Sequence, residues 1–97
     1  GHTPLTIACC NGYEELVKLL IENGADIDKS DNYGNTPLMI SCREGHNTIA
    51  KYLIENGADI DKENQKGDTP LMISCREGHE TIVKLLMEYG VDVNKNN

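Results

Sequence analysis

Apolar side chains form short stripes of helical period along this chain. The clearest stripe consists of Ile49, Ala50, Leu53 and Ile54. These positions fall on one face of an α-helix, because a helical turn takes about 3.6 residues. The spacing predicts an amphipathic helix from about Asn47 to Asn56 that is closed by Gly57.

A shorter apolar segment precedes this stripe and follows a Thr-Pro dipeptide that begins at Thr36. Its apolar positions are Leu38, Met39, Ile40 and Cys42. A threonine hydroxyl can accept from an unbonded amide of the first turn, and proline at the first helical position sacrifices no hydrogen bond. We therefore predict a short first helix that ends in a tight turn at Gly45. The polar loop from Ala58 to Gly67 then predicts a hairpin-like connection.

The same unit occurs three times with a spacing of 33 residues. The repeated positions include Thr3, Thr36 and Thr69, Gly12, Gly45 and Gly78, and Gly24, Gly57 and Gly90. Residues 36–46 are identical to residues 69–79. One helix pair cannot bury its apolar face alone, so stacked repeats must supply the core, and the sequence predicts an all-α repeat solenoid. The predicted repeats span residues 1–33, 34–66 and 67–97 of a single domain, residues 1–97.

The pattern G-x-T-P-L-x-x-x-x-x-x-G-(H/Y), followed by an apolar helix and G-(A/V)-D, resembles the ankyrin repeat over essentially the whole chain. The family usually has His after Thr-Pro-Leu, where this sequence has Thr6, Met39 and Met72. The usual Ala-Ala pair of the first helix is replaced by Ala8-Cys9, Ser41-Cys42 and Ser74-Cys75. These side chains are compact or apolar, so we expect a weaker local hydrogen bond and an intact fold. The resemblance implies a protein-binding module with no shared catalytic chemistry.

Members of this family usually bind partners on a concave face made of loop tips and the exposed side of the first helix. Carried onto this sequence, the loop-tip positions are His2, Asn32, Tyr33, Asn35, Gln65, Lys66 and Asp68. The first-helix positions are Cys10 and Asn11, Arg43 and Glu44, and Arg76 and Glu77. We predict these residues as partner contacts, since exposed loops on a rigid scaffold commonly carry function.

Tyr33 is the strongest single candidate among them, because tyrosine buries a large area at a small cost in side-chain entropy. The alternative is a ring packed flat against its own repeat. Arg43 and Arg76 are candidates for a basic ladder that binds carboxylates. The alternative for each arginine is an exposed ion pair with Glu44, Glu77 or a neighbouring repeat, which would contribute little.

The amino-acid composition limits which residues can form the core and which class of partner can bind. The chain of 97 residues has four tyrosines and no tryptophan or phenylalanine, so the core must consist of Leu, Ile, Val, Ala and Met. Its net charge is -7 and none of the three repeats is basic. Nucleic acids and anionic membranes select basic surfaces, so we expect neither as a ligand. A partner protein with a moderately basic patch is the better electrostatic match.

The cysteines indicate a reducing compartment. Cys9, Cys42 and Cys75 occupy the same position in successive repeats, which is unlike a disulfide framework. We predict that these three are reduced, buried small hydrophobes and that the protein is cytoplasmic or nuclear. Cys10 occupies the position of Arg43 and is a candidate for an exposed thiol.

Two sequence patterns resemble metal-binding or nucleophilic sites, and we interpret both as structural. Cys42 and His46, like Cys75 and His79, have the spacing of a metal site or a Cys-His nucleophile, but a glycine interrupts each helix between them. Asp26-Ile27-Asp28 and Asp59-Ile60-Asp61 lack the central glycine and closing glutamate of a calcium loop. We therefore predict no metal, no cofactor, no catalytic residue and no enzymatic activity.

Two functions from different classes remain open. The first is a protein-binding module within a larger array, and Gly1 in place of an initiator methionine favours an excised or processed chain. The second is a structural spacer or self-associating segment, with weak end-to-end contacts between apolar terminal faces. The near-identity of repeats two and three favours the second, because a specialised binding face should diversify. An engineered scaffold is a weaker hypothesis, since designers avoid extra cysteines.

Overall fold

Residues 2–91 are described by a computed structural model of the chain. They form helices α1 (Pro4–Asn11), α2 (Glu14–Glu22), α3 (Pro37–Glu44), α4 (Asn47–Glu55), α5 (Pro70–Glu77) and α6 (Glu80–Glu88). No strand occurs within that range, which confirms the predicted all-helical fold class. The outer bounds predicted at Gly1 and Asn97, and Asp92 of the last G-V-D motif, lie outside the described residues.

Each first helix starts as the Thr-Pro dipeptide predicts. The hydroxyl oxygens of the capping threonines accept from the amides of Thr6, Met39 and Met72 at 3.1, 3.2 and 3.3 Å respectively. In the first repeat the Thr6 hydroxyl also accepts from the Thr3 amide at 2.8 Å and completes a capping box. Thr6 thus restores one local hydrogen bond at the position where the family usually has histidine.

The helix ends also follow the predicted turn chemistry. Gly12, Gly45 and Gly78 close the first helices with φ near +75°, a left-handed conformation that favours glycine. The second helix of the middle repeat ends at Glu55, and Asn56 caps it through a side-chain bond of 2.8 Å to the Tyr52 carbonyl. The predicted end at Asn56 was therefore correct to within one residue.

The helix pairs stack side by side, and the core lies in the seams between them. Helix α3 contacts both α1 and α5, while α4 contacts both α2 and α6. The largest fully buried core side chains are Val17, Leu38, Met39, Ile40, Ile49, Leu53, Ile82 and Leu86. The core is aliphatic, as the composition predicts, and Met39 belongs to it.

The connection between repeats is a tight hairpin organised by one side chain. The Asp31 amide donates to the Asn35 carbonyl at 2.9 Å, and the Asp31 carboxylate accepts from the Tyr33 and Asn35 amides at 2.9 Å each. Asn64 repeats this arrangement with the amides of Lys66 and Asp68. The predicted hairpin-like loops are thus present, with Asp or Asn as the organising residue.

Adjacent hairpins are joined to one another. The Gln65 amide donates to the Tyr33 carbonyl at 3.1 Å, and the Gln65 side-chain amide donates to the Asn32 carbonyl at 2.7 Å. Asn64 donates to the side-chain oxygen of Asn35 at 2.9 Å. These polar contacts fix the spacing of the two loop tips relative to one another.

In the second and third repeats, a histidine contacts the C-terminal end of the first helix of the preceding repeat. His46 Nε2 lies 3.1 Å from the Cys10 carbonyl oxygen, and His79 Nε2 lies 3.0 Å from the Arg43 carbonyl oxygen. A Cβ atom on Gly45 would lie 2.7 Å from His79 Cε1, so the ring needs a glycine beneath it. The Gly-His pairs therefore join successive repeats.

The substitution Gly45→Ala tests this seam. We expect a loss of roughly 2–5 kcal/mol in the free energy of unfolding, since the strained φ and the contact with His79 both oppose the methyl group. Gly78→Ala is the matched control, because its φ is also near +75° but no neighbouring atom of residues 2–91 lies within 4 Å of the added Cβ. Urea unfolding of both variants measures the difference.

Equal losses for the two alanine variants would contradict the steric role of His79. A His79→Ala background gives a second check. There the cost of Gly45→Ala should fall towards that of Gly78→Ala, because the obstructing ring has been removed.

Candidate functional site

A cleft of about 360 Å³ opens between α3, α5 and the two hairpins that precede them. We call it the α3–α5 cleft. The predicted contact residues that line it are Tyr33, Asn35, Arg43, Gln65, Lys66, Asp68, Arg76 and Glu77. The buried side chains of Met39 and Ile73 also line it and supply an apolar base. His2, Cys10, Asn11, Asn32 and Glu44 are exposed but do not line this cleft.

The Tyr33 side chain, which lines the α3–α5 cleft, is exposed to solvent. The residue is 68% exposed, although its backbone is held by Asp31 and Gln65. The alternative of a ring packed flat against its own repeat is therefore wrong. A fixed backbone under an exposed aromatic ring reduces the entropy lost when a partner covers it.

Arg43 and Arg76 occupy the same repeat position but have different partners. Arg43 Nε donates to Glu44 Oε2 at 3.0 Å, and these side chains are 43% and 37% exposed. Arg76 Nη2 donates to Asp68 Oδ2 at 3.1 Å, and the Asp68 side chain is only 9% exposed. The hydrogen bond to Asp68 and the charge of that carboxylate raise the pKa of Arg76. Arg43 thus forms the exposed ion pair with Glu44 that the alternative describes, whereas Arg76 pairs with the buried Asp68 of its own repeat, a partner that the sequence analysis did not consider.

Asp68 departs from its predicted role as a loop-tip contact. The residue is buried, its amide donates to Asn64, and its carboxylate accepts from Arg76. A buried carboxylate needs a partner of opposite charge, and Arg76 supplies it from the following helix. Asp68 therefore stabilises the hairpin against α5 from inside the repeat.

A model of the ankyrin repeats family, three copies in tandem, matches residues 1–64 and 31–97. These matches together cover the whole chain. The chain belongs to the ankyrin repeat family. Ankyrin repeats are generally protein-interaction modules, and the family is typically non-enzymatic. The resemblance inferred from the repeated Thr-Pro-Leu and glycine positions is thereby confirmed.

Individual relatives match over about one ankyrin repeat. The chain is 57% identical over 35 residues to transient receptor potential cation channel subfamily V member 5 of Mus musculus, covering 36% of this chain and 5% of that protein. The same identity and coverage hold for subfamily V member 6 of Rattus norvegicus. Ankyrin repeat and KH domain-containing protein mask-1 of Caenorhabditis elegans is 52% identical over 33 residues, 34% of this chain and 1% of that protein. The chain thus spans a small fraction of the length of these curated relatives.

The sequence pointed to several loop-tip residues but missed the connections between ankyrin repeats. Asn64, which organises its hairpin and bonds to Asn35, was not among the predicted contacts. Asp28 accepts from the Asp59 amide at 3.0 Å, so one acidic run joins two repeats. The recurrence of Asp or Asn at positions 31 and 64 is the signal that could have identified the hairpin residues.

The thiols of this ankyrin stack fall into two classes. Burial raises the pKa of the Cys9 thiol to about 11 and that of the Cys42 thiol to about 12, partly offset by hydrogen bonding to Ser41 and Ser74. Such thiols stay protonated at neutral pH and are poor nucleophiles. Cys75 was predicted to be buried but is exposed, because no helix within residues 2–91 packs on the side of α5 opposite α3.

The histidines of both Cys-His pairs take part in contacts between repeats. The Nε2 atoms of His46 and His79 lie against backbone carbonyls of the preceding repeat. Across residues 2–91, no group of three or more His, Cys, Asp and Glu side chains is arranged to hold a metal ion. The same stretch contains no helix that is long and apolar enough to cross a membrane.

Thiol reactivity should separate the two classes. We expect Cys10 and Cys75 to react rapidly with a disulfide reagent in the folded protein, because both are exposed. Cys9 and Cys42 should react only after unfolding, because burial protects their thiols. Absorbance of the released thiolate, with and without guanidinium chloride, measures both phases. Cys75→Ser should halve the rapid phase, whereas a third rapidly reacting thiol in the folded protein would contradict the assignment.

Proposed function

We propose that this chain is a protein–protein interaction module that binds a partner through the α3–α5 cleft and the adjoining loop tips. The observation that carries the proposal is Tyr33, an exposed aromatic side chain on a hairpin whose backbone is fixed. Tyrosine at such a position is a typical anchor of protein interfaces. The family's general role as an interaction module supports the same conclusion.

The protein acts in this proposal as a non-enzymatic binding surface in the cytoplasm or nucleus. Two of its thiols are buried with raised pKa values, and the cleft is lined by an aromatic ring, arginines, amides and a buried ion pair. That arrangement suits recognition of a peptide surface rather than covalent chemistry. Cys9 and Cys42 carry free, buried thiols, and a reducing compartment is part of the proposal because such cysteine usage is typical of proteins found there.

The test is capture of a partner from a native lysate under reducing conditions, followed by affinity measurement with the purified partner. The cleft variant combines Tyr33→Ala with Arg43→Ala. Arg76 is left intact because its removal would deprive the buried Asp68 carboxylate of its arginine partner. Removing interface anchors should weaken binding by about tenfold or more.

A control variant on the other side of the stack makes the result specific. Lys51→Ala with Lys84→Ala alters exposed side chains of the second helices, away from the cleft. This variant should bind as the unaltered chain does. Loss of binding in the control and retention in the cleft variant would place the interface elsewhere and reject the proposal.

Self-association is the second candidate, and exposed apolar side chains favour it. Ile7, Leu16 and Leu19 are exposed on α1 and α2, and Met87 is exposed on α6. Leu16 and Leu19 are three residues apart and so share one face of α2. A second copy that covers these side chains would extend the stack head to tail.

Sedimentation equilibrium tests this second candidate. If the chain self-associates, its mass should rise with concentration, and Leu16→Glu with Leu19→Glu should restore a monomer. The cleft variant serves as the control and should not change the association. A monomeric mass at every concentration would exclude self-association as the function of this chain.

A further inference from the structure

The two arginines of the α3–α5 cleft lie in identical sequence but differ in environment. Residues 36–46 and 69–79 are the same, so the helices themselves cannot cause the difference. The residue eight positions before each arginine does differ, and it is Asn35 in one repeat and Asp68 in the next. Asp68 supplies a carboxylate to Arg76, whereas the amide of Asn35 has no charge to offer Arg43.

The partner that Arg43 does have is easily exchanged. Its bond to Glu44 joins adjacent residues whose side chains are both exposed, and such surface ion pairs contribute little to stability. Arg76, in contrast, is bound to a buried carboxylate. The Arg76–Asp68 pair therefore shows how a carboxylate is held at this repeat position, while Arg43 can accept one from outside the chain.

The surroundings of Arg43 favour a ligand that is both acidic and apolar. The charged residues that line the cleft are Arg43, Lys66, Arg76, Asp68 and Glu77. Three cationic and two acidic side chains line the cleft, a net charge of +1 in a chain whose net charge is -7, and the Glu44 carboxylate that pairs with Arg43 is exposed and lies outside the lining. Met39 and Ile73 provide the apolar base, and the Tyr33 ring stands beside it.

We propose that the α3–α5 cleft binds a peptide segment of a partner protein through an Asp or Glu carboxylate held by Arg43, with an adjacent apolar side chain against Tyr33. The proposal rests on the proposed function and specifies the chemistry of its partner. It requires a local acidic group only, because a strongly acidic partner would be repelled by the net charge of the chain.

The carboxylate at Arg43 would take the place of Glu44. Exchange of one exposed ion pair for another that is partly shielded by the bound peptide gains affinity, because shielding from water strengthens a charge-assisted hydrogen bond. The apolar neighbour adds buried area and fixes the direction of the peptide. The two contacts together distinguish this ligand from a simple polyanion.

Selection from a random peptide library displayed on phage, panned on the folded chain, provides the probe. We expect enrichment of peptides that carry Asp or Glu beside a large apolar residue. One enriched peptide is then synthesised together with an analogue in which the acidic residue is replaced by its amide. Fluorescence anisotropy should show about tenfold weaker binding of the analogue, as expected for one charge-assisted hydrogen bond.

Asn35→Asp is the decisive variant, because it gives Arg43 the internal carboxylate that Arg76 already has. The variant keeps the side-chain oxygen that accepts from Asn64, so the hairpin is preserved. Affinity for the acidic peptide should fall about tenfold, and affinity for the amide analogue should not change. Asn47→Asp is the control, since it adds the same charge at an exposed position on α4, away from the cleft and its loop tips.

Arg43→Gln gives an independent check and should abolish the difference between the acidic peptide and its amide analogue. Equal loss of affinity in Asn35→Asp and Asn47→Asp would show a general charge effect and overturn the inference. Enriched peptides that lack acidic residues, but lose affinity in Tyr33→Ala, would overturn this inference and leave the proposed function standing. Failure to enrich any peptide that depends on Tyr33 or Arg43 would overturn both.

Discussion

Lateral stacking of helix pairs is the constraint on which this structure depends. A pair such as α3 and α4 has an apolar stripe that it cannot bury alone, and the two flanking pairs cover it from either side. Small residues at the seams allow this close approach, and Ala50 and Cys42 are fully buried there. Stability and shape are thus properties of neighbouring repeats rather than of any single one.

Polar contacts make the stacking specific. Aliphatic side chains alone would tolerate sliding of one helix pair over the next, whereas hydrogen bonds require a defined register. His79 contacts the carbonyl of Arg43, and Gln65 bonds to the carbonyl of Tyr33, so polar contacts hold the seam between α3 and α5 at both its ends. The loop tips are consequently presented at a constant spacing above a rigid base, which suits recognition of an extended partner segment.

The sequence predicted the helices, their caps and the stacked architecture, because Thr-Pro, glycine and apolar spacing act locally and recur in each repeat. It predicted less of the candidate site. Asp68 was expected to contact a partner but is buried against Arg76, and Cys75 was expected to be buried but is exposed. Both errors have one cause, since repeat symmetry assigns equal environments to equivalent positions. Asn35 and Asp68 differ in charge, and the terminal repeat has a different neighbourhood from the middle one.

The contact between each histidine and the preceding glycine gives the stack a direction. His79 contacts the repeat before it, through the Arg43 carbonyl and the surface of Gly45, and His46 contacts the first repeat in the same way. The unit of change in such an array is therefore a complete repeat length. Recombination that duplicates or removes whole repeats keeps each such glycine beneath a histidine of the following repeat, whereas a breakpoint inside a helix pair separates the two. Whole-repeat steps are therefore the changes of length that leave the seams intact.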